Sequence, residues 1–169
     1  GGERASRGRV DAELLDALHR RFAPWLGADA PRSSGREEFG ERALLPLLED
    51  FGRERLDDAL ATLAAFAARC FALRLARFAP ELGARRPRFW WTGGGARNRA
   101  LIGALARELA PAPCAPLDAW PGAAGAPLER AREALLFALL ADRRLRGAAS
   151  DARSATGALR PAVLGCLWV

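Results

Sequence analysis

The chain has 169 residues, of which 50% are apolar and 27% are charged, a balance that excludes a disordered or collagen-like protein and allows a buried core. All 26 basic residues are Arg, which excludes a Lys-dependent phosphate loop, and the single histidine, His19, cannot form a two-histidine zinc motif. The net charge of +6 is uneven, because residues 1–59 carry 10 Arg and 13 acidic residues whereas residues 60–169 carry 16 and 7.

The first 50 residues predict a helix, a loop and an interrupted helix. Asp11 is suited to cap a helix whose apolar face consists of Leu14, Leu15, Leu18 and Phe22. His19 falls on the polar side of that helix, so we expect it to be solvated. Residues 30–38, rich in Pro, Ser and Gly, predict an ordered loop. Gly40 and Pro46 interrupt the weaker apolar pattern that follows at Phe39, Leu44, Leu45 and Leu48.

The central part of the chain predicts a helix, a strand and a second helix. Apolar residues recur at steps of three and four over 57–78, as in a long amphipathic helix. The run 88–92 is short, aromatic and bounded by proline and glycine, as a strand would be. Three glycines end this strand, and Asn98 can cap the next helix, whose apolar face is Leu101, Ile102, Leu105 and Leu109.

The last third predicts a strand, a helix and a closing strand. Five prolines between residues 110 and 127 exclude a continuous helix and leave room for a short strand at 114–117. We expect the next helix at Leu128–Leu145, with an inward face of Ala131, Leu135, Ala138, Leu139 and Leu145. The apolar tail 162–169 is expected to close the fold as a strand, and Cys70 and Cys166 are expected to be small core residues.

The three cysteines lie far apart, form no Cys-x-x-Cys pair and are odd in number, which favours reduced thiols in a cytoplasmic protein. No secretory leader opens the chain, and it contains no methionine, so we expect it to be part of a longer protein. Charge-free stretches such as 59–68 are far shorter than the ~18 residues of a membrane span, so no membrane partner is expected.

The strand, the three glycines and the capped helix together suggest a ligand site. Gly93, Gly94 and Gly95 carry no side chain that would keep a ligand from the main-chain N–H groups at a helix start, an arrangement that suits a phosphate or nucleotide. Glycines at such a turn also serve tight packing alone. Asn98 either caps its helix or contacts the ligand.

Six segments, in order along the chain, carry the motifs of one known family. They are Gly2, Ala5, Gly8, Val10 and Asp11; Pro31-Arg-Ser-Ser-Gly-Arg-Glu-Glu-Phe39; Ala61-Thr-Leu63 with Ala67; Thr92-Gly-Gly-Gly-Ala-Arg-Asn98 with Leu101 and Leu105; Glu133-Ala-Leu-Leu-Phe-Ala-Leu-Leu-Ala141; and Thr156-Gly-Ala158 with Val163-Leu-Gly165. Through these six segments, which span nearly its whole length, the chain resembles the 1,6-anhydro-N-acetylmuramic acid kinases.

The resemblance implies an α/β fold of the actin-like ATPase (ribonuclease H-like) type, in which ATP with Mg²⁺ lies between two domains. It also implies phosphoryl transfer to 1,6-anhydro-N-acetylmuramic acid, with water opening the anhydro bridge to give N-acetylmuramic acid 6-phosphate for peptidoglycan recycling. Gly93, Gly94, Gly95 and Asn98 would then be nucleotide-binding residues. Glu133 would hydrogen-bond a sugar hydroxyl, with an ion pair to a nearby Arg as the alternative.

Two of the family's segments have no counterpart in residues 1–169: the N-terminal phosphate loop and the Asp-Thr-Gly-Pro-Gly segment that carries the general base. We therefore expect this chain to be a single domain, the C-terminal half of a two-domain sugar kinase, with no catalytic residue and no metal ligand of its own. The missing N-terminal domain would be its partner, a homodimer would be a further one, and the isolated chain would be inactive.

The predicted loop at residues 30–38 carries a group of charged side chains. Arg32, Arg36 and Glu37 suit a phosphate, a carboxylate such as the lactyl group, or an internal ion pair, and Arg36 is the residue predicted to contact the substrate. Arg32 and Ser34 stand where the family usually has Lys and Thr, and the Gly- and Pro-rich stretch 120–127 is longer than in the family.

The alternative hypothesis is that the chain is not part of an enzyme but a non-catalytic, Arg-rich module that binds nucleic acid or a protein partner. The basic half of the chain and its tryptophans favour it. However, most of the arginines alternate with apolar residues, as on a solvated helix face, and Trp90 and Trp91 are expected to pack rather than to stack on bases, so we expect no nucleic-acid partner.

Overall fold

The computed structural model describes residues 1–29, 35–49, 51–85, 87–123, 128–151 and 153–166. The helices are α1 (Glu3–Arg7), α2 (Ala12–Leu26), α3 (Arg36–Phe39), α4 (Glu41–Glu49), α5 (Leu56–Phe78), α6 (Glu81–Arg85), α7 (Arg99–Glu108), α8 (Leu128–Leu145) and α9 (Arg153–Thr156). The strands are β1 (Phe89–Trp91) and β2 (Cys114–Pro116). Short 3-10 turns connect several of these elements, and the one at Gly94–Arg97 follows β1.

Helix α2 confirms the prediction made from its cap and its apolar spacing. The Asp11 carboxylate accepts a hydrogen bond from the Leu14 N–H at 2.9 Å, which satisfies one of the free donors of the first turn. Leu14, Leu18 and Phe22 are buried on one face. The ring of Phe22 stacks on that of Phe39 with centroids 4.7 Å apart and lies 5.4 Å from that of Phe66, so this face is the centre of the apolar core.

Helix α5, predicted over 57–78, is the element on which α1, α2 and α7 pack. Most of its buried residues are small, which lets the neighbouring helices approach closely: Ala59, Ala61, Thr62, Ala64, Phe66 and Ala68. By length and composition, the helical stretch Arg53–Phe78 could also cross a membrane, which the sequence prediction missed. The core helix of a water-soluble protein passes the same test, and α1, α2 and α7 pack on α5.

Polar contacts fix the start of α5 against the N-terminal segment. Asp57 accepts hydrogen bonds from Arg4 at 2.6 Å and Arg7 at 3.1 Å, and these lower the pKa of its carboxyl, the Arg4 contact most strongly. The Arg9 N–H donates to the Asp58 carboxylate at 2.8 Å. Gly8 lies so close to the Asp57 carbonyl that a Cβ would overlap the α5 backbone. Residues 1–11 are therefore held tightly against α5.

Strands β1 and β2 form a two-stranded parallel sheet that pairs Phe89 with Cys114, Trp90 with Ala115 and Trp91 with Pro116. Both strands lie where the sequence predicts them, and α7 connects them, as a parallel pair requires. Trp90 and Trp91 are half-buried, which agrees with a packing role. The described part of the chain thus combines helices with a small parallel sheet.

Several predictions about burial are wrong. The His19 ring is half-buried and meets that of Phe66 edge-on, with centroids 5.3 Å apart, because the side chain folds back onto the core instead of extending into water. Its Nε2 is buried without a hydrogen-bond partner among the described residues. Cys70 is half-buried as expected, but Cys166 is exposed. In the tail, Ala162 makes only a two-bond bridge with Ser150, so no strand forms there among the described residues.

Helix α8 has the predicted bounds, but the face predicted to point inward is exposed. It packs mainly against the 3-10 turn Leu117–Ala119, which is too short to cover a helix of 18 residues. The large apolar side chains left 52–72% exposed are Leu135, Leu136, Phe137, Leu139 and Leu145. Leu135, Leu139 and Leu145 belong to the predicted inward face, which is therefore an exposed apolar surface of the kind that marks an interaction site, whereas Leu136 and Phe137 lie on other sides of the helix.

In the segment around α3, residues 36–38 are helical although they were predicted to belong to a loop, and residues 30–34 lie outside the described part. The Glu38 carboxylate accepts from the Gly35 N–H at 2.9 Å and so caps this turn. Helix α4 follows in the region of the interrupted pattern and accommodates Pro46.

Candidate functional site

The glycine turn, residues 93–95, follows β1 directly. Gly93 has φ +85°, a backbone conformation that disfavours any residue with a Cβ. The other two glycines are not required by packing, because a Cβ on Gly94 would meet nothing within 4 Å and one on Gly95 would make only ordinary contact with Leu101 at 3.7 Å. Their small size leaves the backbone accessible from outside, which favours ligand access over tight packing.

Thr92, the last residue before the turn, carries an unsatisfied polar group. Its hydroxyl is buried and has no hydrogen-bond partner among the described residues. An unpaired buried hydroxyl costs about 1–3 kcal/mol, so such groups normally find a partner. A partner from outside this chain, such as another part of a longer protein, would remove that cost.

Asn98 caps α7, as predicted. Its Oδ1 accepts a hydrogen bond from the Leu101 N–H at 3.2 Å. Gly2, with φ +81°, lies directly against the Asn98 side chain, and a Cβ on Gly2 would overlap Oδ1. The Arg99 N–H donates to the Gly1 carbonyl at 3.3 Å. The cap is therefore built jointly by α7 and the N-terminal residues.

Asn98 and Gly2 also line an open cavity of about 480 Å³. Its apolar lining from α5 and α7 includes Leu60, Leu63, Ala64 and Leu101. None of the three glycines of the turn lines this cavity, so the structure shows the capping role of Asn98, and its contact with a nucleotide stays a prediction.

Glu133, in the second turn of α8, has an exposed carboxylate. Its neighbour Arg132 connects it to the glycine turn. The Arg132 guanidinium lies against Gly93: a Cβ on Gly93 would be 3.3 Å from one terminal nitrogen of Arg132 and 3.6 Å from the other. The same guanidinium is 3.6 Å from the Glu133 carboxylate. The glycine turn, Arg132 and Glu133 therefore lie on one surface. The sequence analysis missed Arg132, because nothing in the local pattern around it indicated a contact with Gly93.

Arg36 begins α3, and the structure describes its backbone but not its side chain. Helix α3 packs on α4, and its Phe39 stacks on Phe22 in the core. Arg32 lies outside the described residues. The role of Arg36 in substrate binding stays a prediction.

Other reactive groups among the described residues do not form a second site. Burial raises the pKa of the Cys70 thiol to about 11 and also raises that of Cys114, so neither is an activated nucleophile. In the described ranges, no three His, Cys, Asp or Glu side chains cluster in a way that could hold a metal ion. The candidate site is therefore the surface formed by the glycine turn, Arg132 and Glu133.

Comparison with known proteins gives one consistent family. The family model described as "Anhydro-N-acetylmuramic acid kinase" matches residues 1–169. Proteins of that name from Synechococcus sp. (strain CC9605) and Burkholderia vietnamiensis are each 38% identical to the chain over 169 and 168 residues, and one from Streptomyces coelicolor is 39% identical over 166. These matches cover 98–99% of this chain but only 39–42% of each relative, so the chain spans about two fifths of the length of its curated relatives.

Proposed function

Because this chain belongs to the anhydro-N-acetylmuramic acid kinase family, we propose that it is the C-terminal part of an enzyme that uses ATP to phosphorylate 1,6-anhydro-N-acetylmuramic acid. In that reaction water adds to the anomeric carbon, the bond from that carbon to O6 breaks, and O6 takes the γ-phosphoryl group while ADP leaves. The product is N-acetylmuramic acid 6-phosphate, which serves peptidoglycan recycling.

One observation carries this proposal: the glycine turn and Glu133 lie on the same surface, joined by Arg132. We assign Gly93, Gly94, Gly95 and Asn98 to the nucleotide side and Glu133 to a hydroxyl of the sugar. An exposed carboxylate accepts hydrogen bonds from sugar hydroxyls without the cost of burying its charge alone. Neighbouring nucleotide and sugar sites are what direct phosphoryl transfer requires.

ATP is a substrate of the proposed reaction, and Mg²⁺ would accompany it. Mg²⁺ is usually bound by one or two carboxylates together with substrate phosphates. Charged side chains near the glycine turn include Arg97, in the same 3-10 turn, and the Arg132–Glu133 pair, and the two cations disfavour a metal ion beside them. These residues do not fit a resident Mg²⁺ site, and we derive no step through the metal.

The general base would also come from outside residues 1–169. A carboxylate in the Asp-Thr-Gly-Pro-Gly segment of the family would take a proton from the attacking water. The residues of this chain then bind and orient the two substrates and do not act as acid or base themselves.

We also propose that residues 1–169 form a single C-terminal domain of the actin-like ATPase type, completed by the rest of the same polypeptide. More than half of each relative lies outside the matched part. That remainder is our candidate to cover the apolar surface of α8 and to supply a partner for the buried Thr92 hydroxyl. Three free cysteines fit a cytoplasmic enzyme, and a homodimer remains part of the proposal.

The test is sugar-dependent ADP release by the full-length protein that contains this chain. We expect activity with 1,6-anhydro-N-acetylmuramic acid and ATP, and we expect Glu133→Gln to raise the KM for the sugar roughly tenfold, because the acceptor of the sugar hydroxyl loses its charge and the hydrogen bond becomes weaker. The matched control is Asp142→Asn, which changes an exposed carboxylate in the last turn of the same helix. Absence of sugar-dependent ADP release would refute the proposed function, and an unchanged KM and kcat in Glu133→Gln would refute the role of Glu133.

A further inference from the structure

Arg132 has a position that its own helix does not explain. Its guanidinium lies against the Cα of Gly93 in the glycine turn, with both terminal nitrogens and the central carbon 3.3–3.8 Å from where a Cβ of Gly93 would be. All three atoms are at similar distances, so the planar group lies broadly over the glycine. The φ of +85° is what favours glycine at position 93, whereas a Cβ there would need only a small shift of the flexible Arg132 side chain.

The contact with Glu133 does not account for this placement. The two residues are adjacent in α8, where neighbouring side chains do not face each other, and their charged atoms are 3.6 Å apart. The Arg132 side chain is 46% exposed and that of Glu133 is 79% exposed, so water weakens the pair. Within the described part of the chain this is the one ion pair of Arg132, and most of its five N–H donors remain available for a ligand.

We propose that Arg132 binds a phosphate group of the nucleotide at the glycine turn and so stands between the nucleotide and the sugar held by Glu133. This inference rests on the proposed function. A guanidinium suits the role because its planar array of donors matches two phosphate oxygens and its charge is permanent. A cation at this point also offsets the negative charge that spreads over the phosphoryl oxygens during transfer. Arg132 is thus a nucleotide-positioning residue and takes no part in proton transfer.

The experiment measures ADP binding and steady-state kinetics of the full-length protein with Arg132→Gln and Arg132→Lys. We expect Arg132→Gln to raise the Kd for ADP and the KM for ATP roughly tenfold, with the KM for the sugar changed less than about twofold. Arg132→Lys keeps the charge but not the planar pair of donors, so it should recover part of the affinity. The control is Arg146→Gln, an exposed arginine just beyond α8 that pairs with Asp142 at 2.8 Å, and it should leave all three constants unchanged.

The inference is overturned if Arg132→Gln binds ADP like the wild type, or if it changes only the KM for the sugar. A merely structural role would lower the melting temperature of Arg132→Gln and Arg132→Lys alike without the selective loss of nucleotide affinity, which also overturns it. ADP binding is measured without sugar. A protein that binds ADP through Arg132 but shows no sugar-dependent turnover would therefore refute the proposed sugar kinase and leave this inference standing.

Discussion

Replacing Asn98 separates its capping role at the start of α7 from its proposed contact with the nucleotide. In Asn98→Ala the Leu101 N–H loses the acceptor that now lies 3.2 Å away, and the start of α7 is left uncapped. Loss of an N-cap costs about 1 kcal/mol, within a range of about 0.5–2. In a domain of this size about 1 kcal/mol lowers the melting temperature by roughly 2–4 °C. Gly2 packs against the same side chain, so the truncation also leaves an unfilled space beside Gly2, and we expect a decrease near 4 °C, the upper end of the ~2–4 °C range.

Asn98→Asp is the matched variant. Aspartate caps a helix as well as asparagine does, and its negative charge is favourable at a helix N-terminus, so we expect stability equal to or above that of the wild type. The same charge would repel a phosphate. Contact between Asn98 and the nucleotide therefore predicts a Kd for ADP at least tenfold higher in Asn98→Asp, although this variant is fully folded.

The melting temperature and the Kd for ADP are both measured on the full-length protein, the first by thermal unfolding and the second by ADP titration. The reasoning about the cap is refuted if Asn98→Ala is as stable as the wild type, or if Asn98→Asp is the less stable of the two variants. The predicted nucleotide contact is refuted if Asn98→Asp binds ADP with wild-type affinity.

Two further predictions concern the packing around α5 and α8. Because its arginine partners lower the pKa of Asp57 in the folded protein, its contribution to stability is present above the unfolded pKa of ~4 and is lost as the pH falls through the lower folded value. The gap in urea midpoint between the wild type and Asp57→Asn should therefore shrink from pH 6 to pH 3, and a gap independent of pH would contradict this. If the rest of the polypeptide covers α8, Leu135→Arg and Leu139→Arg should each lower the melting temperature of the full-length protein by several degrees, since each would bury an unpaired charge. Leu159→Arg, at a side chain 98% exposed, is the control, and equal tolerance of all three would argue that the α8 surface stays open.

The local elements of the fold followed from the sequence because their causes are local. The Asp11 cap, the three- and four-residue spacing along α5 and the position of the short strands are set by hydrogen bonds and side-chain periodicity within a few residues. The glycine turn was found the same way, since a strand, three glycines and an Asn cap are adjacent in the chain. Residue types in fixed order were also enough to indicate the family.

Contacts between distant segments were decided only by the tertiary structure. The sequence could not place Arg132 against Gly93, or Gly2 against Asn98. The two residues of each pair are far apart in the chain, and no helical or strand periodicity relates them. The periodicity of α8 predicted an inward face, but whether that face is buried depends on which elements pack on it. Among the described residues, the main element that packs on α8 is the short 3-10 turn Leu117–Ala119. His19 was misassigned for the same reason: which side of a helix meets the core is settled by the neighbouring helices, whose approach is a matter of packing and not of local pattern.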